Sequence, residues 1–356
     1  MFLTRMVDLN RGTLVSRALR QSWRTHQAGA CPLTSEQLDS VTPLLYESGA
    51  AGLGWWRIRD TQLHETPSAE LLHQAFRLLA LRARTHETRI EKLFRLFRDA
   101  SIEAIVVKGW AIARCYPEQA LRPYGDIDLL VRPADFDHAL RVLQSEDARD
   151  CFTDLHAQMF ELADRSIEDV FSRSQLVQCG KENLRVLALE DHFALLSIHL
   201  LKHAAWRPLW LCDIGMLLDT MPGNFDWGVC LGQDKRRSNW ILSAAGLAHV
   251  LLGAEINDQS IAVRAKRVPD WLVERVLRNW ETPFAHLQAP IRHRAPIRSY
   301  LRHPPGLLKD LARRWPDPIL ATVSVNGTFG RRPRLRYQLG NWLLRAVRVA
   351  TAGGAT

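Results

Sequence analysis

Three short apolar segments, separated by turns and helical stretches, lie between residues 101 and 162 and limit the folds that this chain can adopt. The first runs from Ile105 to Val107, the second runs roughly from Asp126 to Val131, and the third covers 151–162. Between the second and third, the apolar residues of 134–146 recur at the spacing of an amphipathic helix. This order of strands and helices predicts a small α/β sheet domain.

Helical periodicity dominates on both sides of these segments. We expect a helix from Thr34 to Leu45, which starts with an S/T-x-x-[EQ] pattern, and one or two long helices from Ser68 to Ala100. The stretch GAAGLGWW (49–56) between them is predicted to be a loop or sharp turn because of its glycines. Residues up to about 30 have weak periodicity, which indicates an accessory segment. Further helices are predicted within 190–206, 209–221, 238–253, 269–280 and 337–349.

These patterns predict an α+β protein with four regions. Residues 1–100 are expected to be a mostly helical N-terminal segment and 101–188 a minimal α/β core. Residues 189–290 are expected to form a helical substrate or lid domain, and 291–356 a basic Arg/Pro-rich segment.

Positive charge is concentrated in the last of these regions. Residues 291–356 contain thirteen Lys and Arg against Asp310 and Asp317, in a chain whose net charge is +9. Such a segment can contact an anionic partner, or it can be the solvated face of surface helices. A nucleic-acid-binding function is less favoured, because no RNA-binding module or helix-turn-helix signature accompanies the charge.

The scattered cysteines and the lengths of the apolar runs bear on the compartment. The six cysteines form no C-x-x-C pair, which fits a reducing cytoplasm. The longest largely apolar run, Ile241 to Ala254, is shorter than a bilayer span, and the N-terminus lacks the apolar region of a signal peptide. We therefore expect a cytoplasmic protein without a membrane span.

Asp126 and Asp128 are the first candidate site residues. They are two positions apart in a predicted strand, so both carboxylates point to the same face of the sheet. Two adjacent carboxylates repel each other unless a cation lies between them. This pair predicts a divalent-metal site, with Mg²⁺ preferred because it favours oxygen ligands; the alternative is a solvated pair at a strand edge.

Two neighbouring elements favour the metal interpretation. Upstream, Lys108-Gly109 ends a strand and opens a helix, and such a turn allows the backbone to approach a phosphate closely. Downstream, Asp154 lies in the next predicted strand, with His156 on the same face. We expect Asp154 to share a metal ion with Asp126 and Asp128 and to help deprotonate an acceptor hydroxyl.

At these residues the sequence resembles the DNA polymerase β-like nucleotidyltransferase superfamily, and more narrowly its bacterial family of uncharacterised nucleotidyltransferases. The resemblance rests on the Lys108-Gly109 turn, on Arg122 before the Asp-hydrophobic-Asp motif of 126–128, and on the Asp-Leu-His motif of 154–156. It spans roughly Ser68 to Gly253. It implies that the small mixed β-sheet is a nucleotidyltransferase core of the polymerase β-like type.

The resemblance also implies a reaction and its cofactors. Two Mg²⁺ ions would be held by Asp126, Asp128 and Asp154, and an NMP would pass from an NTP to a hydroxyl group. This chain has Lys108-Gly109-Trp110 where the superfamily usually has Gly-Gly or Gly-Ser. We expect Lys108 and Arg122 to contact the phosphates in compensation.

The helical half supplies further candidates for a substrate cleft. His199 and His203 are four residues apart, which is metal-ligand spacing, but Leu200 stands where a zinc protease motif needs Glu. We interpret both histidines as buried or cleft-lining, with Lys202, His203 and Arg207 facing an anionic substrate. Asp213, like these histidines, lies in a stretch that resembles the second half of the family.

Three interpretations of function remain open. The first is transfer to a small molecule or natural product, and the second is transfer to a protein hydroxyl, as in AMPylation. The third is a nucleotide-binding pseudo-enzyme on the same scaffold. The sequence does not identify the NTP or the acceptor.

Overall fold

Five strands form a mixed sheet in the part of the chain that the computed structural model describes, namely residues 10–25, 31–282 and 315–352. The order across the sheet is β3-β2-β1-β5-β4, with β1 antiparallel to β2 and parallel to β5, and with β2 parallel to β3. The strands are β1 (Ala104–Val106), β2 (Ile127–Val131), β3 (Thr153–His156), β4 (Gln175–Cys179) and β5 (Glu182–Val186).

The first three strands form where the apolar segments predict them, and they confirm the small mixed sheet. The third is shorter than expected, because β3 ends at His156 and residues Phe160–Leu162 form a 3₁₀ turn instead. The antiparallel β4–β5 hairpin was not predicted. Polar and apolar residues alternate only weakly in its outer strand β4, and Leu176 of this strand is exposed. The sequence of β4 therefore shows no clear apolar face.

Helices precede the strands in the chain, separate some of them and follow them. Before and within the sheet they are α1 (Arg11–Leu19), α2 (Ser35–Glu47), α3 (Ala51–Ile58), α4 (Pro67–Asp99), α5 (Trp110–Ala113), α6 (Phe136–Leu143) and α7 (Ile167–Arg173). After the sheet they are α8 (Leu189–Lys202), α9 (Pro208–Asp219), α10 (Trp227–Leu231), α11 (Lys235–Leu252), α12 (Gln259–Ala265), α13 (Asp270–Asn279), α14 (Pro318–Ser324) and α15 (Leu335–Ala352).

The capping signal at Thr34 is confirmed by the structure. The Thr34 hydroxyl accepts from the Gln37 N–H, and the Gln37 side chain accepts from the Thr34 N–H. This reciprocal capping box satisfies two N–H groups that would otherwise have no partner, so α2 begins at Ser35.

The prediction of a loop at 49–56 is wrong, because α3 occupies most of that stretch. A side chain at Gly52 would place its Cβ 2.7 Å from the carbonyl oxygen of Ala120. This glycine therefore permits close packing of α3 on the turn at 119–121, and it does not break the helix.

The prediction of an accessory N-terminal segment is also wrong for the residues of α1. Leu14, Val15 and Leu19 are buried, and α1 packs against α2 and α13. Local periodicity is weak there because buried small and polar residues such as Gly12 and Ser16 interrupt the apolar face.

Buried side chains form two clusters, and α4 contributes to both, as do the strands β1 and β2. The helical core joins α1–α3 and the start of α4 to the helices that follow the sheet, and the sheet core lies between the end of α4 and the strands. Leu72 belongs to the helical core, whereas Ile90 and Phe97 belong to the sheet core. The proposed domain limits at 100, 188 and 290 stay a prediction.

The structure bears on two predictions, that the chain has no membrane span and that its basic C-terminal segment can contact an anionic partner. Within the described residues, no helix has both the length and the apolar character needed to cross a membrane. The basic segment is described from 315 onward, where Arg331 and Arg332 are exposed, and its residues 291–314 lie outside the described part. An anionic partner for this segment stays a prediction.

A buried carboxylate links the loop before α7, α7 itself and the start of α8. Asp191, which is completely buried, accepts hydrogen bonds from Arg165 and from both Nε and Nη2 of Arg173, the latter two at 3.0 and 3.1 Å. Two cations around one buried carboxylate hold the first turn of α8 against α7 and the loop before it.

We expect Asp191→Ala to lower the free energy of unfolding by about 3–5 kcal/mol, because it leaves the partly and fully buried guanidinium groups without their anion. Urea denaturation measures this difference. The matched control is Glu168→Ala, which removes an exposed partner of Arg132 and should cost about 0–1 kcal/mol. Equal losses in the two variants would contradict a structural role for the Asp191 cluster.

Candidate active site

A cavity of about 710 Å³ lies between the edge of the sheet formed by β2 and β3 and the helices α8 and α9. Nearly all of the side chains predicted from the sequence to form the site line it. They are Lys108, Gly109, Arg122, Asp126, Asp128, Asp154, His156, His199, Lys202 and His203.

Asp128, Asp154 and His156 form a compact group in this cavity. The parallel register of β2 and β3 pairs Asp128 with Asp154, so the two side chains lie on neighbouring strands at the same level. His156 Nε2 lies 3.7 Å from Asp128 Oδ1 and 3.2 Å from Asp154 Oδ2. One ligand atom from each residue lies within 4.8 Å of the other two.

Asp126 lies apart from that group. It precedes the first residue of β2 and is exposed, while Asp128 is only 5% exposed. Both line the cavity, as expected for residues two apart along a strand direction. The structure therefore brings Asp128 and Asp154 into direct proximity and leaves Asp126 at the mouth of the site.

Lys108 and His156 supply positive charge next to Asp128. The Lys108 ammonium Nζ lies 2.6 Å from Asp128 Oδ1. Burial opposes the charge on Asp128, but His156 and Lys108 outweigh it and lower the pKa of the Asp128 carboxyl. The contact with Asp128, against the effect of burial, raises the pKa of the His156 imidazole. Asp128 is therefore held in its anionic form.

The turn after β1 has a backbone conformation that favours glycine. Gly109 has φ 56° and ψ −111°, and a Cβ there would lie 3.3 Å from the carbonyl oxygen of Asp126. The Val107 N–H donates to the Asp128 carbonyl at 3.1 Å and ties this turn to β2. The turn thus presents its backbone beside both aspartates of the 126–128 motif.

Arg122 and Asp213 were predicted separately, and the structure places them in contact. Arg122 Nη2 donates to Asp213 Oδ2 at 2.9 Å, and Arg122 Nε lies within 3.2 Å of both carboxylate oxygens. The Tyr116 hydroxyl donates to Asp213 Oδ1 at 2.8 Å. Asp213 is completely buried and lies behind the cavity wall, so it does not form part of the cleft surface.

Glu161 is a central residue of the helical wall that sequence reasoning missed. Its Oε1 lies 3.3 Å from His199 Nδ1 and 3.2 Å from Lys202 Nζ. Burial opposes its ionisation, but His199 and Lys202 lower its pKa to about 2. The segment was interpreted as the end of a strand, and only the 3₁₀ turn at 160–162 brings this carboxylate to α8.

His203 and His199 pack with Trp210 at the same wall. The ring centres of His199 and His203 are 4.5 Å apart, and that of Trp210 lies 4.7 Å from His199. Burial lowers the pKa of both imidazoles, to about 4 for His203. These are neutral, cleft-lining rings at neutral pH.

The donor atoms of the sheet edge fit a small divalent cation. Carboxylate oxygens from Asp128 and Asp154 lie close enough for one ion to contact both after a small adjustment, since Mg²⁺ binds oxygen at about 2.0–2.1 Å. The exposed Asp126 carboxylate and water can supply further oxygen ligands. The Lys108 ammonium already contacts one of the Asp128 oxygens, which shows that this position favours a cation.

The comparison with protein families agrees with this geometry. A family model described as "Uncharacterised nucleotidyltransferase" matches residues 34–150 and 145–252. The chain belongs to this family. The matched range runs from α2 to the end of α11 and includes every residue that lines the cavity. No curated protein and no solved structure matches the chain.

The lowered pKa of His203 predicts how stability depends on pH. Below pH 6.5, which is the ordinary pKa of histidine, His203 binds a proton in the unfolded chain. In the folded protein His203 does not bind this proton until the pH nears 4. The contribution of the neutral ring is therefore complete above pH 6.5 and is lost as the pH falls from there.

We expect His203→Asn to reduce the loss of stability on acidification. Urea denaturation at about pH 7.5 and about pH 5 measures the difference in unfolding free energy for each protein. The difference should be smaller in the variant but not zero, because burial also lowers the pKa of His192, to about 3. The exposed His138→Asn serves as the control. An unchanged difference in His203→Asn would show that His203 is protonated in the folded protein.

Proposed function

We propose that this chain is a Mg²⁺-dependent nucleotidyltransferase that moves an NMP from an NTP to a hydroxyl group of a small molecule or natural product. The observation that carries the proposal is the placement of Asp128 beside Asp154 on parallel strands, with Asp126 at the entrance and the Lys108-Gly109 turn adjacent. Membership of the nucleotidyltransferase family supports it.

Asp126, Asp128 and Asp154 are the residues that would hold Mg²⁺. The metal, when bound, neutralises charge on the phosphates and on the leaving pyrophosphate. Three carboxylates provide the oxygen donors that this cation prefers, and the buried Asp128 is held ionised by its neighbours.

The other residues have roles in proton transfer and phosphate binding. In the reaction, the acceptor oxygen forms a bond to the α-phosphorus while the bond from that phosphorus to the pyrophosphate oxygen breaks. Asp154 is 57% exposed on its side chain and is placed to accept the proton that the acceptor hydroxyl loses. Lys108 is placed to stabilise phosphate charge once a substrate competes for its ammonium. Arg122 holds the wall through Asp213.

The dimensions of the cavity favour a small acceptor. Its volume of about 710 Å³ lies within the roughly 300–1,000 Å³ that small-molecule sites occupy. Aromatic side chains of Phe160, Trp206 and Trp210 line the helical wall, opposite the carboxylates. Such a wall is suited to contact with a ring or an apolar part of an acceptor.

A second candidate is a nucleotide-binding protein without turnover. It is supported by the Lys108 ammonium 2.6 Å from Asp128 Oδ1, where an internal cation already neutralises one metal-binding carboxylate. The two candidates differ in whether pyrophosphate is released.

In the wild-type protein, we expect an NTP that binds together with Mg²⁺ to raise the melting temperature. A ligand at 100 times its Kd stabilises the folded state by about 2.7 kcal/mol. The Asp126→Asn/Asp128→Asn double variant should lose the Mg²⁺-dependent part of the shift. Asp147→Asn, an exposed carboxylate outside the cavity, is the matched control. Pyrophosphate release with pools of hydroxyl acceptors then measures turnover.

The outcomes separate the two candidates. Mg²⁺-dependent NTP binding with pyrophosphate release that the double variant lacks supports the transferase. Binding without release for any acceptor supports the pseudo-enzyme. NTP-dependent transfer that persists in the double variant would falsify the assignment of these aspartates.

A further inference from the structure

Arg207 is a largely buried cation on the wall of the cavity. Its Nε donates to the Ser48 carbonyl at 2.7 Å, and its guanidinium carbon lies 5.6 Å from the centre of the Trp210 ring. Within residues 10–25, 31–282 and 315–352, Arg207 forms no ion pair with a carboxylate, and the Ser48 carbonyl is the acceptor of its hydrogen bond.

The other cationic side chains of the cavity differ in this respect. Lys108 is paired with Asp128, Arg122 with Asp213, and Lys202 with Glu161. Arg207 lies near Arg122, so two guanidinium groups lie near the buried carboxylate of Asp213. Arg122 already binds this carboxylate through two nitrogens. The anions that act on Arg207 are Asp213, which Arg122 already binds, and the exposed Asp126, and neither forms an ion pair with it.

A largely buried guanidinium that has no ion-pair partner is unfavourable in the absence of a ligand. Burial, reinforced by the charge of Arg122, lowers the pKa of the Arg207 guanidinium to about 10. A charge taken out of water without a partner costs several kcal/mol, and an anion that enters the cavity would remove this cost.

The backbone is shaped around this guanidinium. Gly49 has φ 76°, and a Cβ at that position would lie 2.5 Å from Arg207 Nη2. Together with the Ser48 carbonyl and the face of Trp210, this glycine forms a niche in which the guanidinium keeps one orientation. A fixed guanidinium loses little conformational freedom when it binds.

We propose that Arg207 is the binding site for an oxyanion group of the substrate, a phosphate or a carboxylate. The planar fork of a guanidinium matches both groups through two parallel hydrogen bonds. This inference rests on the proposed function, and the group belongs either to the phosphates of the donor NTP or to an anionic acceptor.

Sodium tripolyphosphate is the probe, added at constant ionic strength set with NaCl, and the melting temperature is the readout. Wild type should be stabilised, and Arg207→Met should bind the probe at least about tenfold more weakly, because a hydrogen bond to a charged group is worth about 1.5–3 kcal/mol. Arg207→Lys should lie between them, since a point charge lacks the fork. Arg236→Met, which removes an exposed cation outside the cavity, should change the affinity less than about threefold.

A parallel titration with Mg²⁺ and NTP identifies the source of the oxyanion. If Arg207→Met weakens NTP binding by a similar factor, the group is a phosphate of the donor. If NTP binding is unchanged while tripolyphosphate binding is lost, the group belongs to the acceptor. Tripolyphosphate binding through Arg207 in a protein that binds no NTP would support the oxyanion site while the proposed function fails.

The ligand-free proteins provide an independent readout. Arg207→Met should melt at the same temperature as wild type or higher, because it removes a buried charge that has no anionic partner. A wild type that tripolyphosphate does not stabilise would overturn the inference. So would an Arg207→Met variant that melts lower and keeps its affinity for the probe, since that result assigns Arg207 a purely structural role.

Discussion

The repulsion between Asp128 and Asp154 is the constraint around which the site is built. The parallel register of β2 and β3 forces these two carboxylates to the same level of the sheet edge. The chain compensates with cations from two directions, Lys108 from the turn after β1 and His156 from β3 itself. Without these charges, the burial of Asp128 would favour its protonated form and the edge would lose its affinity for a metal ion.

Much of this arrangement is encoded locally and could be predicted. Strand periodicity placed Asp128 and Asp154 on strands that follow each other along the chain, and the capping pattern placed the start of α2 near Thr34. Helical spacing placed His199 and His203 on one face at the end of α8. Each of these features depends on residues within a few positions of one another, so a single sequence is sufficient to indicate it.

The features that escaped prediction depend on partners far away in the chain. Glu161 becomes part of the site through contacts with residues about forty positions later, and Arg122 pairs with Asp213 rather than facing only the cleft. The helix α3 contains glycines that usually indicate a turn, but Gly52 allows the close approach of the 119–121 turn and Gly54 packs against Leu45 and Leu72. Local patterns carry no information about such contacts.

The helix α4 has a consequence for how the cavity can change shape. At 33 residues it is about 50 Å long, and its two ends are built into the helical core and the sheet core respectively. The walls of the cavity are built on these same two cores, which α4 joins lengthwise and β1 and β2 join directly through side chains on alternate faces. Recognition of a substrate in such a frame depends on the fit to a preset width, and adjustment is left to side chains and to the short connections around the rim.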